Sequence, residues 1–368
     1  MAGFVVHNSK PEIMYNKTDY IRRGARFLNN QLRPCHKKLS SLYFYTTTLC
    51  DSQCKHCLIW QKRPITTMDK NKIVEVMHSK CITKHTTIGL EGGEFLLHPE
   101  AMDILLWFKN HHANFDLLSN CLKPEKVIEA VKKSSPRRLY VSLDGDKNTY
   151  RYMRGKDGFD KVIQVVEECK DKLPVSLMFT LSPYNDFDDM KYVIKISQRY
   201  NVDIRIGIYN NINFFDTQEK AHDTFSMNNF TDNIPHQVKD TTENYDFLLL
   251  YDEWRKGNLN LKCHSIKDSL VIHPNGDVPL CQNLDLKLGN IYENSLDEIF
   301  NSYETKKIHQ QYSNNCNNCW INFHRKYDIV LLRSSEQLLP KKLIQLFYGE
   351  YNWTSNKKIT YKNFLNGR

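Results

Sequence analysis

No stretch of the sequence approaches the roughly 18 consecutive apolar residues that a membrane-spanning helix needs. The N-terminal segment MAGFVVHNSKPEIM contains too short an apolar run for a signal peptide, and its flanking residues do not fit one either. Internal repeats and low-complexity tracts are also missing, which argues against a solenoid or fibrous protein. From these absences we expect a cytoplasmic protein with no membrane partner.

The excess of one charge sign is small, with 51 Lys and Arg against 42 Asp and Glu and a net charge of +9. It is spread along the chain, with modest concentrations at 131–138 and in the C-terminal tail. Spread charge is typical of a solvated surface, whereas nucleic-acid-binding proteins concentrate it on one face. A nucleic-acid partner is therefore not favoured. The content of 40% hydrophobic and 12% aromatic residues predicts a folded globular protein.

Disulfides are a poor explanation for the 11 cysteines, because a chain with no export signal is expected in a reducing compartment. Seven of the cysteines form two groups, and clustered cysteines in such a compartment indicate metal. The groups are Cys50, Cys54 and Cys57 near the beginning of the chain, and Cys263, Cys281, Cys316 and Cys319 further along. The other four are scattered singly, which is typical of small buried apolar side chains.

Six short β-rich runs alternate with segments of helical period between residues 41 and 209. The predicted strands are 41–49, 86–91, 115–119, 138–144, 175–181 and 203–209, and the predicted helices include 67–80, 124–133, 159–170 and 188–200. Strands joined by crossover helices imply a parallel sheet. Six strands are fewer than the eight of a closed barrel, so we predict an α/β fold with a partial (β/α)6 TIM-like barrel. Catalytic groups should gather at the C-terminal ends of its strands.

The cysteine triplet follows the first predicted strand directly. Three thiolates within eight residues converge only if the loop wraps around something, and a [4Fe–4S] cluster fits because three cysteines bind three irons and leave the fourth open. A structural zinc site prefers four protein ligands. A zinc site completed by His56, or a cysteine-rich loop without metal, stays an alternative.

The C-x-x-x-C-x-x-C spacing of Cys50, Cys54 and Cys57 resembles the radical S-adenosylmethionine (radical SAM) superfamily. The resemblance implies that the amino and carboxylate groups of S-adenosylmethionine chelate the open iron. One electron from the cluster then cleaves the sulfonium to a 5′-deoxyadenosyl radical, which abstracts a hydrogen atom from the substrate. An electron donor such as flavodoxin or ferredoxin is implied as a partner.

Further segments support the resemblance. Gly92, Gly93 and Glu94 are similar to the Gly-Gly-Glu-Pro segment of the family, although Phe95 stands in place of the proline. The resemblance implies that this segment receives the methionine amino group. Two glycines allow a close approach of backbone to ligand, and a carboxylate can accept a hydrogen bond from an ammonium group. A plain turn after a strand is the alternative.

The S-L-D-G segment that begins at Ser142, followed by Arg154, resembles the S-x-D-G … R-G stretch of the family. By this resemblance Ser142 contacts the ribose and Arg154 pairs with the methionine carboxylate. Ser119 and Asn120 end the third predicted strand and are expected to line the same pocket, and His56 is expected beside the adenine. A surface arginine and an Asp-Gly turn are the alternative. The sequence assigns no catalytic acid or base.

The second cysteine group resembles the twitch domain, a shortened relative of the SPASM domain. Cys263 and Cys281 flank a predicted hairpin with its turn at 274–277, and Cys316 and Cys319 form a C-x-x-C pair. The resemblance implies a second, auxiliary [4Fe–4S] cluster held by all four cysteines. A fully ligated cluster cannot bind substrate through iron, but it can accept an electron. A structural zinc is the competing interpretation.

These observations predict five regions. They are an N-terminal extension at 1–40, the radical SAM barrel at 41–209, an insertion and connecting helix at 210–262, a twitch or SPASM-like domain of hairpin plus helix at 263–328, and a basic tail at 329–368. The implied function is a radical SAM oxidoreductase or maturase that acts on a peptide or small molecule. The twitch-like length favours a small or medium substrate. An RNA-modifying radical SAM enzyme and a non-catalytic metal-binding protein are the alternatives.

Overall fold

A computed structural model of the protein describes residues 17–210, 230–235, 238 and 245–352. Seven parallel strands form its main sheet, in the order β6-β5-β4-β3-β2-β1-β7. These strands are β1 Ser41–Tyr45, β2 Thr87–Glu91, β3 Phe115–Ser119, β4 Arg138–Ser142, β5 Val175–Leu181, β6 Asp203–Ile208 and β7 Ser269–Ile272. The predicted partial barrel of parallel strands is confirmed. About half of the predicted insertion and connecting helix at 210–262, and the end of the basic tail, lie outside the described residues.

Helices follow the first five strands of the barrel and cover its outer face. In chain order the helices are α1 Lys17–Leu32, α2 Lys70–Met77, α3 Ala101–His111, α4 Pro124–Ser134, α5 Lys147–Arg154, α6 Phe159–Cys169, α7 Phe187–Tyr200, α8 Phe230–Asn233, α9 Tyr245–Leu249, α10 Tyr251–Arg255, α11 Leu296–Asn301, α12 Tyr303–Asn315, α13 Asn322–Leu338 and α14 Lys341–Tyr348. Among the described residues, no helix is long and apolar enough to cross a bilayer.

The start of α2 differs from the sequence prediction. A capping box of Thr66 and Asp69 predicts a helix from residue 67, but α2 begins at Lys70 and its N-cap is Asp69, whose side chain accepts a hydrogen bond from the backbone N–H of Asn71. Residues 66–68 are instead held extended, because the Met68 N–H donates to the Thr46 carbonyl at 2.8 Å. Pairing with the end of β1 therefore outweighs the local helix signal.

The seventh strand is a second difference. The sequence predicts a hairpin on either side of a turn at 274–277. The turn is present, with the Gly276 N–H donating to the His273 carbonyl at 2.9 Å and φ at Gly276 of 87°. The strands it joins lie in different sheets: β7 pairs parallel with β1, and β8 Asp277–Pro279 pairs antiparallel with β9 Lys287–Asn290. The C-terminal part of the chain thus contributes a strand to the barrel.

The two faces of the sheet differ in polarity. The face toward the helices is a continuous apolar core, which includes Leu42, Phe44 and Leu90 at 0% exposure. The alternate residues point to the concave face, where Tyr43 and Glu91 lie, because successive side chains of a strand point to opposite faces. Burial raises the pKa of Glu91 to about 7. The polar concave face opens toward the C-terminal ends of the strands, where the cysteine triplet lies.

Candidate functional site

The cysteine loop begins five residues after β1 and rests against the C-terminal end of α5. The backbone N–H of Gln53 donates to the Arg154 carbonyl at 2.9 Å, and that of Lys55 donates to the Met153 carbonyl at 2.8 Å. The Ser52 hydroxyl also donates to the Arg154 carbonyl, at 3.2 Å. These carbonyls are free to accept because the last turn of a helix has no intrahelical donors for them. The end of one helix thereby fixes the shape of the loop.

Gly155 is required by this contact. It ends α5 with a φ of 63°, and a Cβ added to it would lie 2.8 Å from the Cβ of Gln53. The left-handed conformation is one that glycine adopts without strain. The Arg154-Gly155 pair is therefore the point at which the end of α5 contacts the cysteine loop.

The Gly92–Glu94 segment lies against the other side of the loop. The Gly93 N–H donates to the Thr47 carbonyl at 2.7 Å, and the Glu94 N–H donates to the Leu49 carbonyl at 2.8 Å. A Cβ on Gly93 would collide with the Leu49 carbonyl. The sequence predicts that these glycines allow close approach to a ligand. In the structure they allow close approach to the backbone that leads into the triplet.

Glu94 connects this segment with the end of β3. Its carboxylate accepts hydrogen bonds from the backbone N–H of Asn120 at 2.7 Å and of Leu96 at 3.3 Å. Burial raises the pKa of Glu94 to about 7. The Asn120 amide nitrogen in turn donates to Asp51 at 2.8 Å and lies 3.9 Å from the Sγ of Cys50. A carboxylate thus positions an amide donor beside the first cysteine.

Arg154 is buried and paired inside the protein. Its Nε donates to the Asp144 carboxylate at 2.7 Å, and its Nη1 lies 3.8 Å from the Sγ of Cys54. Burial disfavours its charge, but Asp144, Cys54 and Tyr150 together outweigh that effect and raise the pKa of Arg154 above its ordinary value. The sequence marks Arg154 as the partner of a ligand carboxylate. The structure gives it a carboxylate of its own, which the S-L-D-G segment supplies.

His56 lies close to the same ion pair. Its Nδ1 is enclosed and has no hydrogen-bond partner among the described residues. Burial lowers the pKa of His56 to about 4, with Arg154 also lowering it, so the ring is neutral. Ser142 ends β4 and is half-buried, whereas the Ser119 hydroxyl accepts from the Cys121 N–H at 3.0 Å. The candidate residues for ligand binding therefore gather at the ends of neighbouring strands.

The thiols of the triplet are in surroundings that disfavour their ionisation. Burial raises the pKa of Cys57 to about 12 and the pKa of Cys50 above its ordinary value, and in both cases Cys54 raises it further. Thiolates here need a cationic partner, because an uncompensated buried charge is costly. Within the described ranges, no three His, Cys, Asp or Glu side chains converge closely enough to hold a single metal ion.

The second cysteine group forms at a small apolar cluster next to the barrel. The Cys263 N–H donates to the Ser313 carbonyl at 3.0 Å, so that the first cysteine of the group lies beside the end of α12. Burial raises the pKa of Cys281 to about 12, and Cys319 and Cys316 contribute to that rise. The structure thus brings together cysteines from three separate segments of the chain.

A buried ion pair joins two of these segments, and sequence reasoning missed it. Arg325 on α13 is 1% exposed, and its Nε donates to the Cys319 carbonyl at 2.9 Å while its Nη2 donates to Asn317 at 2.9 Å. Its Nη1 lies 3.3 Å from Asp328, which accepts a hydrogen bond from the His264 N–H at 3.1 Å. The pair therefore connects the C-x-x-C turn with the residue that follows Cys263. No local sequence signal marks it.

A second contact missed by sequence reasoning connects the two cysteine groups. Tyr45, the last residue of β1, accepts a hydrogen bond at its hydroxyl from the side-chain amide of Gln282. Gln282 follows Cys281 directly, and Cys57 is among the groups that raise the pKa of Tyr45, after burial and Glu91. Tyr45 therefore lies next to cysteines of the triplet on one side and bonds the neighbour of Cys281 on the other.

Two family models match this chain. That of the radical SAM superfamily matches residues 44–195, and that of the SPASM iron–sulfur cluster-binding domain matches residues 263–320. The chain contains a radical SAM domain followed by a SPASM domain. The radical SAM match begins within β1 and includes the triplet, Glu94 and Arg154. The SPASM match includes the four cysteines of the second group and ends just before α13.

This chain is similar to the sporulation killing factor maturation protein SkfB of Bacillus subtilis (strain 168). The two are 22% identical over 260 residues, which make up 69% of this chain and 62% of the relative. The chain therefore spans less than two thirds of the length of that relative.

Solved structures share the fold of this radical SAM and SPASM chain. Streptococcus suis SuiB bound to the precursor peptide SuiA has 11% identity and a TM-score of 0.57 over 80% of this chain and 72% of SuiB. The structure of anSMEcpe with bound AdoMet has 16% identity and a TM-score of 0.52 over 83% of this chain and 97% of that chain. At these identities the likeness shows the fold alone.

Proposed function

We propose that the protein is a radical SAM enzyme whose catalytic [4Fe–4S] cluster is held by Cys50, Cys54 and Cys57. One observation carries the proposal: two separate segments of the chain place side-chain donors within 4 Å of two of these sulfurs. Arg154 Nη1 lies 3.8 Å from Cys54 and Asn120 Nδ2 lies 3.9 Å from Cys50. Hydrogen-bond donors beside cluster sulfurs tune such sites.

The donor set fits a cluster better than a single ion. The triplet supplies three thiol ligands, which would leave one iron of a [4Fe–4S] cluster open, while the described side chains provide no site of three close ligands for one ion. Structural zinc sites are tight and four-coordinate. When bound, the cluster and S-adenosylmethionine together supply a 5′-deoxyadenosyl radical that takes a hydrogen atom from the substrate.

The protein groups around the cosubstrate have separate tasks in this proposal. Glu94 uses its carboxylate to hold two backbone N–H groups, and its remaining lone pairs accept from the methionine ammonium. Arg154 already pairs with Asp144, so we assign its positive charge to the Cys54 thiolate rather than to the methionine carboxylate. The unpartnered Nδ1 of His56 faces the cosubstrate, and Ser119 and Ser142 line the same pocket.

We further propose that Cys263, Cys281, Cys316 and Cys319 hold an auxiliary [4Fe–4S] cluster that accepts the electron released when the substrate radical is oxidised to product. The SPASM match covers all four, and their positions in three segments allow four ligands around a cluster. The contact between Tyr45 and Gln282 lies between the two cysteine groups and supports electron transfer between them. A flavodoxin or ferredoxin is the proposed electron donor to the catalytic cluster. In this proposal the radical SAM barrel comprises residues 41–209 and the auxiliary-cluster domain comprises residues 263–328.

The substrate that the comparisons favour is a peptide. The relative SkfB is a maturation protein, and the solved structure of SuiB contains a bound precursor peptide. The twitch-like length of the second cysteine domain favours a small or medium substrate, which a short peptide segment still satisfies. The polar concave face, with Glu91 and Tyr43 on the strands nearest the triplet, offers hydrogen-bonding groups to a peptide backbone.

Anaerobic reconstitution tests the proposal. The reconstituted protein should contain about eight irons per chain, four for each cluster. With S-adenosylmethionine and dithionite it should release 5′-deoxyadenosine, and the Cys54→Ala variant should release none. Cys35→Ala, at a cysteine outside both groups, is the matched control and should keep both properties.

The result separates the two parts of the proposal. Four irons with zinc also present would remove the auxiliary cluster and leave the catalytic one. Intact clusters without any 5′-deoxyadenosine would contradict the proposed function itself. Adding candidate precursor peptides should increase 5′-deoxyadenosine release, whereas an RNA substrate that did so would support the RNA-modifying alternative.

A further inference from the structure

A basic pocket lies before β1, at the opposite end of that strand from the cysteine triplet. The end of α1, the segment leading to β1, the turn at 265–267 and α12 enclose a cavity of about 40 Å³. Its lining includes Gln31, Lys37, Lys267, Lys306 and His309. A single water molecule needs roughly 10–15 Å³, so the cavity has room for a group of several atoms.

Lys37 is the unusual residue of this pocket. It is 1% exposed, and its Nζ donates to the Pro34 carbonyl at 2.6 Å and lies 4.7 Å from the centre of the Phe300 ring. An ammonium group has three donors, and lysine is almost never fully buried unless it is paired. Within the described residues, no carboxylate lies within ion-pair distance of Lys37. The lysine has a charge and donors that the protein does not satisfy.

Other groups of the pocket share this property. Both ring nitrogens of His309, which is 2% exposed, and the amide nitrogen of Gln31 are buried without a hydrogen-bond partner among the described residues. Lys267 donates to the Gln31 side-chain oxygen at 2.9 Å. The amide nitrogen of Gln31 is therefore the group that can form a hydrogen bond with a ligand. A neutral imidazole carries one N–H donor. The unpartnered groups of the pocket, on Gln31 and His309, are therefore able to donate hydrogen bonds to a ligand.

From these contacts we propose that the pocket binds a small oxyanion, a phosphate or a carboxylate group. Such an anion accepts hydrogen bonds from Lys37, His309 and Gln31, and Lys267 and Lys306 add two further positive charges. A buried ammonium and an oxyanion stabilise each other through charge-assisted hydrogen bonds. Burial lowers the pKa of Lys37 to about 8, against the opposing effect of Cys35 and Cys81.

The position of the pocket suggests what the anion does. Lys37 precedes β1, whereas the cysteine triplet follows it, so the pocket is not part of the S-adenosylmethionine site. The turn at 265–267 follows Cys263, and α12 leads into Cys316. An anion in this pocket joins α1 to two of the segments that carry the second cysteine group. The proposed role is therefore structural and independent of the proposed reaction.

Thermal unfolding of the holoprotein with preassembled clusters tests the proposal. Inorganic phosphate is titrated against chloride at pH 7 and constant ionic strength, and acetate is titrated in a parallel series. At phosphate concentrations 10 to 100 times the Kd, the unfolding midpoint should rise by about 2–4 °C. A rise with phosphate alone assigns a phosphate group, and a rise with acetate as well assigns a site for either oxyanion.

Two variants of neighbouring lysines supply the matched comparison. Lys306→Gln removes a charge of the pocket at a half-buried position, and Lys307→Gln removes one from the next residue of α12, which is exposed. Lys306→Gln should reduce the phosphate-induced rise at least threefold, and Lys307→Gln should leave it unchanged. Calorimetric titration of phosphate should show the same order. If neither anion shifts the midpoint of the wild-type protein, or if both variants respond alike, the proposal is wrong.

Discussion

The two cysteine sites of this protein are built in different ways. The triplet is shaped by backbone contacts: helix α5 offers carbonyls to the loop, and the glycines of the Gly92–Glu94 segment let the main chain approach. The second group has a backbone contact from Cys263 to Ser313, but its segments are joined mainly by the buried side-chain pair of Arg325 and Asp328 on a helix outside the SPASM match. Backbone contacts demand particular residues at fixed spacing, so they leave a sequence motif. Side-chain contacts between distant segments leave none.

The largest effect should come from single cysteine replacements, which separate the two sites. Cys57→Ala should abolish 5′-deoxyadenosine formation and remove about four irons, because each cluster needs its full set of protein ligands. Cys316→Ala should also remove about four irons but keep the cleavage of S-adenosylmethionine. Iron analysis and product quantification check both. Equal loss of cleavage in the two variants would show that the sites do not act separately.

Arg325→Met should have the next largest effect. It leaves Asp328 buried without its partner and the Cys319 carbonyl without its donor, which costs about 3–5 kcal/mol of unfolding free energy. The auxiliary iron should be lost while the catalytic cluster remains. Denaturant unfolding and iron analysis measure the two effects. The double variant Arg325→Met, Asp328→Leu should recover part of the stability because no buried charge is left.

A matched control for this prediction is Arg151→Met. Arg151 pairs with Asp157 at 3.0 Å, but both side chains are more than half exposed. Exposed ion pairs contribute little to stability. The control should therefore unfold like the wild type and keep all of its iron. A similar loss of iron in both variants would argue against a specific role of Arg325.

Gly155→Ala tests the backbone contacts of the triplet. The new Cβ meets Gln53 in a left-handed conformation, so we expect a loss of about 1–3 kcal/mol and a lower occupancy of the catalytic cluster. Gly257→Ala is the control, because φ there is 76° but no atom lies within 4 Å of the added Cβ. It should cost less and leave the iron content unchanged. Electron paramagnetic resonance of the reduced protein distinguishes the clusters.

Helix caps should give the smallest effect. Asp146 caps α5 by accepting from the Asn148 and Thr149 N–H groups, and Asp186 caps α7 in the same way. Replacing either by Ala should cost about 1 kcal/mol. Only Asp146→Ala should also lower the occupancy of the catalytic cluster, since α5 alone of these two helices holds the cysteine loop. Equal occupancy in both variants would mean that the loop keeps its shape without α5.

The sequence was sufficient to predict the first six strands of the barrel, whereas the ligand-binding roles of the residues around the triplet stay predictions. Strands β1 to β6 are short β-rich runs next to helical segments, and Glu94 and Asn120 lie within three residues of a strand end. Glu94 and Arg154 are within recognisable motifs, yet their partners are not: the pairing of Arg154 with Asp144 depends on how α5 packs against β4. The motif identifies Arg154, but it does not show whether Arg154 contacts the carboxylate of Asp144 or that of a bound ligand.

Features that depend on distant pairing could not be predicted. The β7 residues Ser269–Ile272 read equally well as half of a hairpin or as a strand of a sheet, because four apolar or small residues carry no information about their partner. The start of α2 at Lys70 is decided by the pairing of Thr47 with Thr67, which local helix signals do not reveal. The cap prediction at Thr66 was wrong for this reason.

The position of β7 has a consequence for the enzyme as a whole. Because Ser269–Ile272 pairs with Ser41–Phe44 residue by residue, a ladder of main-chain hydrogen bonds rather than a flexible linker fixes the segment between Cys263 and Cys281 against the strand that leads to the triplet. If both cysteine groups hold the proposed clusters, the distance for electron transfer between them stays constant during turnover. Removing the chain from Cys263 onward should not leave an independently folding domain. Without β7, β1 would become an exposed edge strand that can pair with other chains.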